Sequence, residues 1–164
     1  VVANNQKIKP SDSVSYTREV YVIVEDVEYE LLQGNNVRVN GSSVNLPYND
    51  FKVEVKNSGR YVKLLTDFGL VVLWDTSESV VVYVSHTYWN RTCGLCGTLD
   101  GNEANDFTTD QGIVVDDISV FADHWKTNGD ECTDLPTTTY PCDGLDSTVI
   151  ERYKAQCKIL FNET

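Results

Sequence analysis

Long apolar runs, positive charge and catalytic motifs are all scarce in this sequence. No apolar run approaches the roughly 18 residues needed to cross a bilayer, so no membrane span is expected. Only 13 Lys and Arg stand against 25 Asp and Glu, a net charge of −12. Nucleic-acid backbones and anionic membranes both call for a basic face, so this balance argues against either partner. It is compatible with divalent cations and with an extracellular setting. The opening "VVANNQKIKP" has no charged segment leading into an apolar run, so it is not a signal peptide. If the protein is secreted, that signal was removed or lies upstream. No GxSxG elbow, HExxH, P-loop or GxGxxG occurs, and there is no internal repeat or low-complexity tract. The histidines, His86 and His124, are isolated residues better suited to surface or core packing than to catalysis. Carboxylates are plentiful but unpaired by any motif, so no positive case for an enzyme emerges.

What is present reads as β-structure. The 41% apolar and 23% charged content of the 164 residues is that of a folded domain, with length for one domain and part of a second. From Val20 to His86 short apolar segments alternate with turn signals. "REVYVIV" and "VEYELL" are rich in β-branched and aromatic residues, and Asn40-Gly41 inside "NNVRVNGSSVNL" is a strong hairpin signal. In "FKVEVK", Phe51, Val53 and Val55 share one face, and Lys52, Glu54 and Lys56 the other. "NSGR" turns the chain into "YVKLLTDF". "GLVVLW" and "SVVVYVSH" are apolar on both faces, which predicts central strands between packed layers. About seven short strands at regular spacing predict a mostly β fold, an antiparallel β-sandwich. Short helices follow: "DDISVFADHWK" places Ile118, Phe121, Ala122 and Trp125 at helical spacing behind Asp116 and Asp117. "TNGDECTDLPTTTYPCDG" is aperiodic and marks a boundary. "DSTVIERYKAQCKILF" then sets Val149, Ile150, Tyr153, Cys157, Leu160 and Phe161 on one helical face, capped by Asp146 or Ser147.

Two features together indicate an oxidising compartment. Asn40, Asn90 and Asn162 head glycosylation sequons (NGS, NRT and NET), and the five cysteines Cys93, Cys96, Cys132, Cys142 and Cys157 all lie in the C-terminal half. An odd count leaves at least one cysteine free or bonded outside the chain. Secretion is the expected localisation.

The sharpest motif is Cys93-Gly94-Leu95-Cys96. A thiol–disulfide exchange site usually sets its first cysteine at a helix N-terminus, which lowers the thiol pKa. Here a β-rich region precedes Cys93, no helical pattern follows, and the acidic residues Asp100, Glu103 and Asp106 would raise a thiol pKa. A zinc site would have to recruit Cys132 with His124 or His86, without a second paired spacing. The loop "TLDGNEANDF" gathers Asp100, Asn102, Asn105 and Asp106, oxygen donors of the kind calcium takes. It is no EF-hand, since Ala104 stands where the third ligand belongs and no helices flank it. The residues alone leave open both a calcium loop and a plain Asn/Asp-rich turn.

The segment "CGLCGTLDGNEANDF", with "WNRT" before it and "FADHWK" after, resembles the C-terminal part of a von Willebrand factor type D domain. The likeness runs back through "GLVVLWDTSESVVVYVSH", and "YPCDGLDSTVIERYKAQCKIL" resembles the start of the eight-cysteine module that commonly follows such a domain. The implied division is residues 1–134 for the type D domain, without its N-terminal part, and 135–164 for the start of the module. The resemblance implies that Cys93, Cys96 and Cys132 are tied by disulfides to cysteines nearer the domain's N-terminus, in a segment expected to precede Val1. Cys142 and Cys157 would then pair within the module. It also implies a Ca2+ ion in the loop, with Asp100, Asn105 and Asp106 as side-chain ligands and Asn102 as a backbone-carbonyl ligand. Thr98 stands where the family usually has Asn, and a further Asp would come from an early strand. The implied function is non-enzymatic: a calcium-stabilised structural or assembly module of a secreted, disulfide-rich glycoprotein. Its partners would be the rest of its domain, neighbouring domains or other copies of the parent. Two rivals stand beside it: the type D domain of a vitellogenin-class lipid-transport or storage protein, and thiol–disulfide exchange through CGLC during multimer assembly.

Overall fold

The computed structural model describes residues 1–9, 14–127, 146–149 and 151–152. Ten strands form two five-stranded antiparallel sheets. The first sheet holds β1 (Val2–Gln6), β2 (Tyr16–Val24), β3 (Val27–Leu31), β4 (Val37–Val39) and β5 (Ser42–Val44), in that spatial order. The second runs β10 (Val80–Val84), β9 (Leu70–Trp74), β8 (Tyr61–Thr66), β7 (Val53–Ser58) and β6 (Tyr48–Asn49). Each sheet is thus a meander, and the β5–β6 passage carries the chain from one to the other. The α-helix α1 (Ile118–His124) follows the sandwich, and residues 147–149 form a helical turn whose Asp146 carboxylate accepts the Thr148 N–H at 2.8 Å. The expected β-sandwich is what the chain adopts.

Side-chain alternation explains why the sheets face each other. Val20 and Val22 in β2, Val53 and Val55 in β7, Val62 and Leu64 in β8, and Val72 and Trp74 in β9 are all buried in one cluster. Residues two apart on a strand project to the same face, so each strand contributes one apolar row to the interior. Two polar contacts cross between the sheets, one reaching out of this apolar layer and one at its exposed margin. The Trp74 ring N–H donates to the Leu32 carbonyl at the end of β3, at 3.0 Å. The Tyr29 hydroxyl donates to the Asp50 carboxylate, just ahead of β7. Asp50 also accepts the backbone N–H groups of Lys52 and Val53. Burial raises the Asp50 pKa, yet these three donors outweigh it and hold the carboxyl below its ordinary value. Burial and the same bond push the Tyr29 phenol up.

The hairpin at Asn40-Gly41 forms as expected, a two-residue turn with φ of 48° and 75° between β4 and β5. Two expectations are corrected. β9 is interior to its sheet, but among the described residues β10 is an edge strand hydrogen-bonded to β9 alone, and Val81, Val82, Tyr83 and Val84 are 37–55% exposed. A strand apolar on both faces needs cover on both, and the sequence does not reveal whether a neighbour supplies it. Phe51 does not share the inward row of Val53 and Val55. It precedes β7 and is 92% exposed, because Asp50 turns the chain there by accepting the Lys52 and Val53 N–H groups. In α1 the apolar face is partly realised: Phe121 is buried and Ile118 is exposed. Asp117 rather than Asp116 caps the helix, accepting the N–H groups of Ser119 and Val120.

Trp74→Phe removes ring volume from a fully buried site and strands the Leu32 carbonyl. It is expected to lower the unfolding free energy by about 2–3 kcal/mol in a urea titration. A loss within experimental error would mean that this contact does not tie the sheets.

Candidate functional site

The last strand of the second sheet delivers the chain to the cysteine corner. After β10, Ser85 donates its N–H to the Gly69 carbonyl (3.0 Å) and its hydroxyl accepts the Thr87 N–H, starting a 3-10 turn over His86–Tyr88. The Tyr88 ring meets Phe68 edge-on at 6.5 Å, and the Arg91 guanidinium lies over the Tyr88 ring at 5.9 Å. The Trp89 ring then covers Gly101, where an added Cβ would sit 3.3 Å from it. The backbone N–H of Asn90 reaches the Leu99 carbonyl at 3.4 Å, closing a loop that contains both cysteines of the CGLC motif. Inside that loop the Thr92 hydroxyl donates to the Gly97 carbonyl (3.1 Å), and the Gly97 N–H donates to the Gly94 carbonyl (3.0 Å). Cys93 and Cys96 are both exposed and are not bonded to each other. No helix begins at this motif: a tight turn occupies it, so the helix dipole that activates exchange thiols is missing here.

The acidic half of the corner is organised by its own hydrogen bonds. Asp100 accepts the Asn102 N–H through Oδ1 (2.8 Å) and the Asn105 side-chain amide through Oδ2 (2.8 Å). The Asn105 amide, with the Asn102 N–H behind it, holds the Asp100 carboxyl below its ordinary pKa, so it stays an anion through mild acid. The Thr98 hydroxyl stands 3.5 Å from the Asn105 Oδ1. Asp106 lies against Gly97: a Cβ added there would fall 2.4 Å from Asp106 Oδ1, and Gly97 has φ of 73°. Glycine is required at that position on both counts. Asn102 is used differently. Its side chain accepts the Ala104 N–H and caps the 3-10 turn Glu103–Asn105, while its carbonyl accepts the Asn105 N–H.

The fold therefore gathers Asp100, Asn105 and Thr98 by hydrogen bonds and packs Asp106 on the adjoining glycine. Asn102 accepts one hydrogen bond on its side-chain oxygen and one on its carbonyl. This donor set is all oxygen, with two carboxylates and neutral amide, hydroxyl and carbonyl groups, which suits a hard cation such as Ca2+. Asp100 has lone pairs left after its two hydrogen bonds. It does not suit zinc. Among the described residues no group of three or more His, Cys, Asp or Glu converges as a metal cluster, the carboxylates of this loop included, and His124 is paired with Asp110 at 3.0 Å. That pair belongs to a small satellite in which α1 docks on the turn 107–115. The Phe107 and Phe121 rings meet there at 5.2 Å, and the Trp125 ring N–H donates to the Thr108 carbonyl (3.2 Å).

Among the expected modification sites, Asn40 and Asn90 are both exposed. Cys132, Cys142, Cys157 and Asn162 lie outside the described residues, as does the expected boundary between residues 134 and 135. Sequence reasoning met Trp89 and Thr92 only within WNRT and the Asn90 sequon, and did not foresee that they close the corner with Leu99. Their roles depend on backbone groups and on a glycine with no side chain, so no residue pattern announces them.

A family model for the von Willebrand factor type D domain matches residues 1–113. The chain belongs to the von Willebrand factor type D domain family. Among curated relatives, human zonadhesin is 39% identical over 132 residues, covering 80% of this chain and 5% of that protein. SCO-spondin of Rattus norvegicus is 29% identical over 155 residues, 92% of this chain and 3% of the relative. Human mucin-5AC is 32% identical over 150 residues, 90% and 2% respectively. The chain thus spans only a few per cent of the length of each of these relatives. In this type D domain, the family match takes in the CGLC corner and its acidic loop, whereas α1 lies beyond it.

The Gly97–Asp106 contact can be tested directly. Gly97→Ala should force Asp106 aside and cost the corner about 1–3 kcal/mol of local stability. That cost should appear as faster amide hydrogen exchange between Thr98 and Asp106, with the β-sandwich core unchanged. Unaltered exchange would show that the loop tolerates the Cβ and that Asp106 is not held by the glycine.

Proposed function

We propose that this type D domain is a non-enzymatic structural and assembly module of a secreted, disulfide-rich glycoprotein. In this reading Ca2+ braces the cysteine corner, and disulfides fix the corner to the rest of the domain. The observation that carries the reading is the pairing of two exposed cysteines, unbonded to each other, with an oxygen-rich loop already held in shape by Asp100. Asp100, Asp106, Asn105, the Asn102 carbonyl and Thr98 would hold the ion, which would supply positive charge to a stretch rich in carboxylates. Extracellular calcium modules bind at about 10⁻⁴–10⁻³ M, so even two carboxylates suffice at extracellular concentrations. Cys93 and Cys96 would bond to cysteines of a segment outside these 164 residues. Among the described residues nothing pairs with the outer edge of β10, which supports that reading, since a free strand edge is where further chain can add. Neighbouring domains or other copies of the parent protein are the partners the module would hold in register. The net charge of −12 disfavours nucleic acid, and no helix among the described residues is long and apolar enough to cross a membrane. Thiol–disulfide exchange is the second reading, favoured by the exposure of both sulfurs.

Calcium should raise the midpoint of thermal unfolding in proportion to the logarithm of its concentration above the dissociation constant. Asp100→Asn and Asp106→Asn should each weaken binding by about tenfold in a calorimetric titration, as one carboxylate ligand is lost. Binding that both variants retain in full would remove the loop as the site. The cysteines are tested by alkylating the native protein without reduction and mapping cross-linked peptides. Links from Cys93 and Cys96 to peptides outside this sequence are expected. Alkylated sulfurs, or a bond only between the two, would overturn the structural reading in favour of exchange.

A further inference from the structure

The glycosylation sequon at Asn90 leads directly into the cysteine corner, and the fold engages all three of its residues. The Asn90 N–H is bonded to the Leu99 carbonyl (3.4 Å) and the Arg91 N–H to the Tyr88 carbonyl (2.9 Å). The Thr92 hydroxyl is committed to the Gly97 carbonyl at 3.1 Å. Asn90 itself has φ of 53°, a left-handed turn rather than an extended peptide. Its side chain is exposed and makes no hydrogen bond among the described residues, so the amide itself is available. Glycan transfer to Asn-x-Thr needs more than an available amide. The hydroxyl two residues on, and the peptide around it, have to leave the fold and lie in the transferase. Here that hydroxyl belongs to the residue before Cys93, inside the loop closed by Asn90 and Leu99.

We infer that Asn90 accepts a glycan only while the 90–99 loop is open, so that disulfide formation at Cys93 competes with its modification. The inference deepens the proposed function and rests on its reading that Cys93 becomes oxidised. In the transfer, Asn90 Nδ2 bonds to the anomeric carbon of a lipid-pyrophosphate-linked oligosaccharide. The anomeric carbon–oxygen bond breaks, its electron pair leaves with the pyrophosphate, and the amide proton is lost to a base of the transferase. In the competing step, Cys93 and its partner cysteine give up two electrons and two protons to a disulfide-bearing oxidoreductase, which becomes a dithiol. Once the disulfide pins the loop, Thr92 stays on Gly97 and the acceptor is withdrawn. Asn40 supplies a contrast within the same chain. Its sequon lies in the β4–β5 hairpin, held by the Asn40 Oδ1–Glu28 N–H bond (2.9 Å) and by ladder bonds, with no cysteine involved.

The test is site occupancy in the full protein made by secretory cells, with and without a membrane-permeant dithiol reductant during synthesis, and in a Cys93→Ser variant. Glycans are removed enzymatically in heavy-oxygen water and the labelled residues are read by mass spectrometry. Occupancy at Asn90 should rise from partial to near-complete under reductant and in the variant, while Asn40 stays constant. Full occupancy of Asn90 in every condition would overturn the inference, as would an equal rise at both sites, which would mark a general delay in folding. Asn90 bare in all conditions would refute it as an acceptor at all. Cys93 found reduced in the secreted protein would instead sink the structural reading beneath it.

Discussion

Trp74 is fully buried where the two sheets face each other, and its ring N–H reaches across to the Leu32 carbonyl. Burying a ring of that size contributes on the order of 4–6 kcal/mol, more than most single side chains in the core. The hydrogen bond adds direction to that gain, because a carbonyl buried without a partner would be costly. Tyr29 and Asp50 make the reciprocal tie, from the first sheet to the approach of β7. Apolar rows alone would let two sheets slide; two polar contacts at defined positions set how they sit. Everything downstream depends on this, since β10 leaves the sheet carrying the cysteine corner at a place determined by that packing.

The corner itself is built on a different principle. It has little apolar interior: Leu95 and Leu99 are exposed, and Trp89 is spent covering Gly101. Short-range hydrogen bonds among Thr92, Gly97, Asp100 and Asn105 shape it, and each such bond is worth only about 1 kcal/mol net. A loop of this kind is shaped but weakly held. Cross-links and a bound cation are the natural reinforcements, since both act on loops that cannot bury enough surface to order themselves. The same weakness is why loop closure and modification at Asn90 come to be linked.

How legible all this was depended on the range of each interaction. The Asn40-Gly41 hairpin and the alternation of Val53/Val55 with Lys52/Glu54 are local, and the sequence displayed them plainly. Ten strands formed where about seven were read. The extras are β1, whose polar "VANNQ" shows no apolar alternation, and short pieces such as β6, Tyr48–Asn49. β10 reads as a central strand because "VVVYV" is apolar throughout, and its edge position follows from pairing that no local pattern encodes. The period of two puts Phe51 on the face of Val53 and Val55, but regular strand geometry begins only at Val53, after Asp50 has turned the chain.

The sequence by itself determined the antiparallel sandwich, the family and the residues of the cysteine corner, because alternation, turn chemistry and motif spacing are properties of neighbouring positions. Only the tertiary structure decided that Asp100 and Asn105 hold each other, that Asp106 rests on Gly97, and that the Asn102 side chain caps the Glu103–Asn105 turn. It also decided that both cysteines of CGLC are exposed and that Thr92 is bonded within the loop. Those outcomes rest on where backbone N–H and carbonyl groups point after the chain has turned through its left-handed residues. That information is spread over the whole corner and belongs to no single side chain.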